Sequence, residues 1–256
     1  MDPSRQTRDK NPTRKKVRSP VRARRAETHY ATQLRKVARQ AGDLIRGFPP
    51  DDPSIVPTVR EMLAKYAEAL EPWAIAAARR MVSEVNARDA DMWMRAAQEM
   101  SSELRHELRN APTGELMRDL MAEQVTLIKS IPLEAAQRVH DLTLEAMADG
   151  SRAAEIAEMI MRSREVAESR ATLIARTEVA RAASTLTQSR ARHVGSTHYV
   201  WRTSEDSDVR PGHKAMNGKT CEWANPPAVN EGGRIMHHHP GEIWNCRCWP
   251  QPVLPE

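Results

Sequence analysis

The side chains of this chain that could do chemistry are concentrated near its end. Cys221, Cys246 and Cys248 all lie in the last 36 residues, with His213 before them and the run His237, His238, His239 between them. Asp206 and Asp208 stand nearby. Thiolate and imidazole are the donors zinc favours, normally four of them arriving as closely spaced pairs. The spacing here is looser than in a standard finger, with no C-x-x-C and no H-x-x-x-H. Cys246-Arg247-Cys248 is a C-x-C pair. In an extended segment its two thiols face one way and Arg247 the other, since side chains i and i+2 share a face. That permits joint ligation without requiring it.

Other readings use the same residues. A module of about 60 residues buries too little surface to stand alone and needs a metal, disulfides or docking onto something larger. Docking alone would make Cys221, Cys246 and Cys248 small buried residues, with Trp201, Trp223, Trp244 and Trp249 supplying the packing. Catalysis is a third reading. The histidine run followed by Asn245 has the residue types of a metal-dependent HNH nuclease, without its spacing. A nucleophilic pair could be drawn from Cys221 and His213. His237 and His238 fit no pattern and are expected to face solvent.

These residues sit in a segment whose texture differs from the rest. Residues 196–256 hold four of six tryptophans, seven of seventeen prolines, five of ten glycines and every cysteine. THYVWRT reads as a strand by its aromatic and β-branched content. The preceding chain reads as helices, with a core of Leu, Ile, Val, Met and Ala, because aromatics are only 4% and Phe48 is the single phenylalanine. Tyr30, Leu34, Val37, Ala41, Leu44/Ile45 and Phe48 form a helical stripe over 27–48, ended by Pro49-Pro50. Further helices are expected over 59–70, 73–88 and 90–109, with Pro72 kinking the first or opening the next. In the helix over 90–109, Met92, Met94, Ala97, Met100, Leu104 and Leu108 face inward. APTG at 111–114 is a break. Helices follow at 115–130 and 133–148, separated by Pro132, and a long one at 164–194 is closed by Gly195. The expected fold class is α+β: a predominantly α-helical body with a small C-terminal turn-rich, β-containing module.

Charge marks a third region. Residues 1–25 carry ten Lys or Arg and two Asp, net +8, while the whole chain is +5, so the remainder is about −3. With Pro3, Pro12 and Pro20 and almost nothing apolar, this stretch reads as a disordered basic arm. It is either a solubilising tail or a polyanion-binding arm contacting phosphates through Arg5, Arg8, Lys10, Arg14, Lys15, Lys16, Arg18, Arg22, Arg24 and Arg25. No membrane span or apolar signal region is expected, so the chain reads as made in the cytoplasm. An odd cysteine count without a secretion signal argues against a disulfide framework.

An ordered series of motifs resembles a known family. ARTEVARA (175–182), YVWRTSEDSDVRPGHKAMNGK (199–219) and HPGEIWNCRC (239–248) are similar to the Mu F-like head morphogenesis proteins of tailed phages, also called minor capsid proteins. The resemblance covers about residues 150–256. It rests on Arg176-Thr177-Glu178, Trp201-Arg202-Thr203, Asp206, Val209-Arg210, His213, Gly218, His239-Pro240 and Cys246-Arg247-Cys248 in that order. It implies a low-copy structural component of the head rather than an enzyme. It implies association with portal, capsid or procapsid proteins and a place in the virion, in the capsid interior or at the portal vertex. Double-stranded DNA is a further expected partner through the basic arm. Toxin domains fused in other members are not expected here.

Many relatives carry C-x-x-C where this chain has Arg210-Pro211-Gly212-His213. A zinc site would then use His213, His239, Cys246 and Cys248, or recruit Cys221, because arginine cannot ligate. The alternative to zinc is a core of Arg210 and Arg247 paired with Asp206, Glu178 or Glu242. Arg176 and Glu178, two apart on a helix, cannot share a face, so one must bond elsewhere. The expected domains are 1–25 as arm, 26–150 as helical body and 151–256 as the Mu F-like unit. A metal-dependent nuclease and a zinc-stabilised interaction module stand as alternative functions.

Overall fold

A computed structural model describes residues 24–49, 53–96, 102–148 and 158–254. The first helix, α1 (Arg24–Arg46), buries Tyr30, Leu34, Val37, Ala38, Ala41 and Ile45, the stripe anticipated from spacing. It starts inside the expected arm: Arg24 and Arg25 occupy its first turn, exposed. The other arm residues, Arg5 to Arg22, lie outside the described residues. After a 3₁₀ turn at Pro53–Ile55 come α2 (Val56–Ala69) and α3 (Glu71–Ala96). Pro72 opens α3, whose first turn needs no amide donor there.

Two expected boundaries are corrected. The helices expected over 73–88 and 90–109 are not separated at 89: α3 runs through to Ala96, and α4 (Ser102–Arg109) forms the end of the second, with 97–101 outside the described residues. Ala97 and Met100 lie outside the described residues, as does the Leu104 side chain. Met92 and Met94 are half-buried, and Trp93 between them takes the buried position. The helices expected on either side of Pro132 are one, α5 (Thr113–Ala148). Proline inside a helix costs about 3 kcal/mol through its lost donor and its clash one turn back. Here the flanking residues outweigh it: Ile128 and Ile131 enter the main core, and Ala135, Ala136 and Val139 enter a second one.

The long helix α6 (Ser163–His193) is buried on nearly every side between Ile174 and Ala191. Its inward positions are mostly small, Ala167, Ala171, Ala175, Ala182 and Ala183, which lets α1, α3 and α5 pack against it in one core. On sequence α6 falls in the C-terminal unit; in space it is the spine of the helical body.

The C-terminal module has a three-stranded antiparallel sheet ordered β2-β1-β5. In it β1 (His198–Arg202) is central, β2 (Thr220–Glu222) sets Cys221 opposite Tyr199, and β5 (Trp249–Val253) sets Pro250 opposite Trp201. Pro250 and Pro252 are tolerated because β5 is an edge strand. A second sheet is the hairpin of β3 (Ala228–Glu231) and β4 (Arg234–His237), turned at Gly232-Gly233, both left-handed. Between β1 and β2 lies a short helix, α7 (Pro211–Met216). The module's core, with Tyr199, Trp201, Trp223 and the cysteines, is continuous with Trp93, Leu108, Ala191 and Val194 of the body. Trp244 does not join this packing; it is 52% exposed. Among the described residues no helix is long and apolar enough to cross a membrane.

Two polar networks pin the helices. Arg190 on α6 pairs with Asp89 on α3, both buried. Thr187 donates to the same carboxylate at 2.6 Å and Arg190 to Asn86 at 2.8 Å. The Tyr30 hydroxyl donates to Gln124 at 3.0 Å, and Gln124 donates to Glu178 at 2.8 Å, joining α1, α5 and α6. Burial raises Glu178 above the usual carboxylate range; the Gln124 hydrogen bond and Arg181, 3.9 Å away, offset it in part, and Glu123 adds to the rise.

The folded chain therefore holds the Glu178 proton more tightly than the unfolded chain does. This group's contribution to stability is full below the ordinary carboxylate range. It declines as pH rises through the raised folded value. Glu178→Gln should be more stable relative to wild type at pH 8 than at pH 4, read as urea midpoints; a difference that does not change with pH contradicts this. Gln124→Leu removes the acceptor of the buried Tyr30 hydroxyl and the hydrogen-bond donor to Glu178, and should cost about 2–4 kcal/mol by the same measurement.

Candidate functional site

Two segments distant in sequence build the site: α7 with its flanks, and the loop 239–248. Arg210 enters α7 extended, and Pro211 fixes the first helical φ. Gly212 then lets the helix lie directly on β3, since a Cβ there would sit 2.1 Å from the Asn230 carbonyl oxygen. This contact brings His213 to the end of β3, where its Nε2 lies 2.6 Å from Glu231 Oε1.

The loop 239–248 is clamped on α6. The Ser184 hydroxyl donates to the Pro240 carbonyl at 2.6 Å, and the Asn245 amide donates to Thr177 Oγ1 at 3.0 Å. Arg176 donates to Asn245 Oδ1 at 3.0 Å and pairs with Glu27 of α1 at 3.3 Å. Thr177, Ala180 and Ser184 share one helical face. Gly241 (φ 89°) lies so close to that face that a Cβ would be 3.1 Å from Ser184 Cβ and 3.2 Å from the Ala180 oxygen. Arg176 thus reaches the β module, while Glu178 turns into the helical body, the division their spacing required.

Beyond the clamp, Cys246 and Cys248 both point at His213, and Arg247 points away. His213 Nδ1 is 3.2 Å from Cys248 Sγ and 3.5 Å from Cys246 Sγ. Arg247 pairs with Asp206 at 2.9 Å and Asp208 at 3.1 Å. The Gly241 amide donates to Cys246 Sγ at 3.3 Å. Cys246 is held down at about 4, chiefly by the hydrogen bond from Cys248 and then by His213, against the opposing effect of burial. Cys248 is pushed up by its place beside that thiolate and by burial. Burial alone would lower His213, but Cys246 and Glu231 outweigh it and hold it above the usual imidazole value.

Several expected roles are redistributed. His239 does not face the thiols: its Nδ1 is 2.9 Å from the Tyr199 hydroxyl and its Nε2 is 3.5 Å from Gln188. Its amide donates to Glu242. His238, expected in solvent, is buried, with Nε2 3.1 Å from Glu231 Oε1 and Nδ1 3.0 Å from the His239 carbonyl. His237 is exposed as expected. Cys221 belongs to the sheet core against Tyr199, not to the His213 group, so the Cys221–His213 pair does not form. Arg247 takes Asp206, as one expected pairing had it. Arg210 takes Glu231, at 3.7 Å, and the Trp244 carbonyl, at 2.7 Å, rather than Asp206, Glu178 or Glu242. Trp201 is fully buried and packs edge-on against His213 and His238. Gly218, at φ 84°, turns the chain from α7 into β2. Glu231 is the residue that sequence reasoning missed; the only signal was its place before the Gly232-Gly233 turn.

Thiolate, imidazole and carboxylate in a row are also the residue types of a nucleophilic site. Access to them is narrow. Both sulfurs belong to residues only 2% exposed, and the adjoining cavity measures about 30 Å³. That is room for one water or one ion, not for a substrate. The donor set does fit zinc. A tetrahedral ion with bonds of about 2.3 Å to sulfur and 2.0–2.1 Å to nitrogen holds those atoms roughly 3.5 Å apart.

The comparisons with known proteins bear on the same residues. Residues 137–250 match the family described as Phage Mu protein F like protein. An uncharacterized protein of Haemophilus influenzae (strain ATCC 51907 / DSM 11121 / KW20 / Rd) is 37% identical over 148 residues, covering 57% of this chain and 32% of that protein. The chain thus spans about a third of the length of this relative. No solved structure matches the chain.

Replacing Gly212 by alanine should force α7 off β3 and separate His213 from Glu231. The expected loss is about 3 kcal/mol or more, in the range for overpacking against backbone. Gly241→Ala should cost about 1–3 kcal/mol through its left-handed backbone and its contact with α6. Thermal unfolding of both variants beside wild type checks the two; unchanged midpoints would mean the close approaches relax freely.

Proposed function

We propose, from the match of residues 137–250 to the Phage Mu protein F like family, that the protein is a minor component of a phage head, acting in head morphogenesis by binding rather than by catalysis. The observation that carries this reading is the coincidence of the family segment with the clamp. The same residues that bear the resemblance fix the loop 239–248 onto α6 and close the thiol cluster away from substrates. A site sealed in this way serves architecture. In this reading its folded surfaces meet portal and capsid or procapsid proteins. The module offers the exposed apolar residues Ile235, Met236 and Trp244 for such a partner to cover.

The basic residues ahead of α1 bind the packaged double-stranded DNA. Eight cations ahead of α1, with Arg24 and Arg25 in its first turn, give a dense, sequence-independent phosphate contact. Arg24 and Arg25, exposed in the first turn of α1, set where that arm leaves the body.

Two measurements test this. A tagged copy expressed during infection should sediment with procapsids and virions at low copy number; its absence from both would overturn the head assignment. Purified protein should bind double-stranded DNA with an affinity that falls roughly ten- to a thousandfold between 50 and 200 mM salt, and deletion of residues 1–25 should abolish that binding. Binding unchanged by the deletion would remove DNA as a partner of the arm. Plasmid cleavage with added Mg²⁺, Mn²⁺ or Zn²⁺ would place the protein among nucleases instead.

A further inference from the structure

We propose that His213, Cys246 and Cys248 form a centre for a single zinc ion, with Glu231 orienting His213, His239 taking no part, and solvent in the fourth position. The inference is independent of any role in a phage head, because it rests on the side chains alone. His213, Cys246 and Cys248 are buried, and their ligand atoms lie within 4.8 Å of one another. The sulfur–nitrogen separations of 3.2 and 3.5 Å are close to those a tetrahedral ion imposes.

A second group, His213, Glu231 and His238, shares the same imidazole but has a different character. Glu231 Oε1 is 2.6 Å from His213 Nε2 and 3.1 Å from His238 Nε2. Atoms 2.6 Å apart already share a hydrogen bond and leave no room for an ion bonded to both at about 2.0 Å. This group is the outer shell. The Glu231 carboxylate accepts the Nε2 proton of His213, which fixes the tautomer and leaves the Nδ1 lone pair for metal. A carboxylate behind a ligating histidine is the usual arrangement at zinc. His238 and Arg210 hold Glu231 from its other sides.

Burial sets what an ion would supply: the second thiol ionises here only with a divalent cation between the sulfurs. Two sulfurs at a 2% exposed site cannot both carry charge without compensation. The nearest arginines are engaged elsewhere, Arg247 on Asp206 and Asp208, and Arg210 on Glu231 and the Trp244 carbonyl. A divalent cation neutralises both thiolates. The fourth position falls to the cavity of about 30 Å³ beside the sulfurs. Ser204, which lines it, has a buried hydroxyl without a hydrogen-bond partner, as a metal-bound water would supply.

The test uses untagged full-length protein. Elemental mass spectrometry should find about one zinc per chain. Exchange for Co²⁺ should give the visible absorption of a tetrahedral site with sulfur-to-metal charge transfer. His239→Asn should keep the metal. Cys248→Ser should lose it, while Cys221→Ser, also buried, should not. Glu231→Gln should fold and bind, but release zinc to a chromophoric chelator roughly 10–100-fold more readily. The Co²⁺ spectrum, the His239 variant and the Glu231 variant keep the test decisive even where a thiol variant fails to fold. Wild-type protein that neither contains zinc nor takes up Zn²⁺ or Co²⁺ overturns the proposal, and so does loss of the metal in His239→Asn.

Discussion

The contact between one face of α6 and the loop 239–248 is the constraint on which the C-terminal module depends. A loop of this length has no regular hydrogen-bond ladder, so its backbone groups must find partners one by one. Thr177 and Ser184 take two of them, and Arg176 takes the side chain that fixes the left-handed turn at Asn245. Once these are placed, Cys246 and Cys248 have no freedom to point elsewhere. The spacing of Thr177, Ala180 and Ser184 along one helical face is therefore as much a part of the thiol site as the thiols are.

That dependence explains why α6 is so poor in large side chains. It must admit α1, α3 and α5 on one side and the loop on another, and alanines allow close approach all round. The loss in buried apolar surface is offset by polar anchors. Arg190 with Asp89, and Glu178 with Gln124 and Tyr30, are buried networks in which the partners' hydrogen bonds are largely satisfied. Such networks add little net stability compared with a well-packed apolar core, but they penalise misplacement of any helix that carries a member. Helix register, and through it the position of the clamp, is what they secure.

Charge compensation ties the architecture to the chemistry. The module gathers two thiols, a carboxylate and two imidazoles around Trp201, away from water. The arginines at its rim are committed to Asp206, Asp208, Glu231 and a backbone carbonyl. The centre leaves room beside its sulfurs for one ion or one water, and it lies within the segment, 137–250, that matches the Phage Mu protein F like family.

Periodicity in the sequence determined the helical body. The stripe from Tyr30 to Ile45, the strand at Tyr199 and the C-x-C alternation all appear in the structure, because each depends on the repeat of a single element. The ordered motifs from Arg176 to Cys248 fall within the segment that matches the family model, and they were legible for the same reason: each is local. Pro132 misled, because its local penalty is outweighed by the packing of Ile128, Ile131 and Ala135, which the local sequence does not reveal. Trp244 and His238 exchanged expected places, one to the surface and one into the core. The choice of His213 over His239 beside the thiols, and of Glu231 behind it, belonged to tertiary structure alone. Those choices depend on α7 lying against β3 through Gly212, and on the loop lying against α6 through Gly241. Both are approaches between elements distant along the chain, and no periodicity within either element encodes the distance to the other.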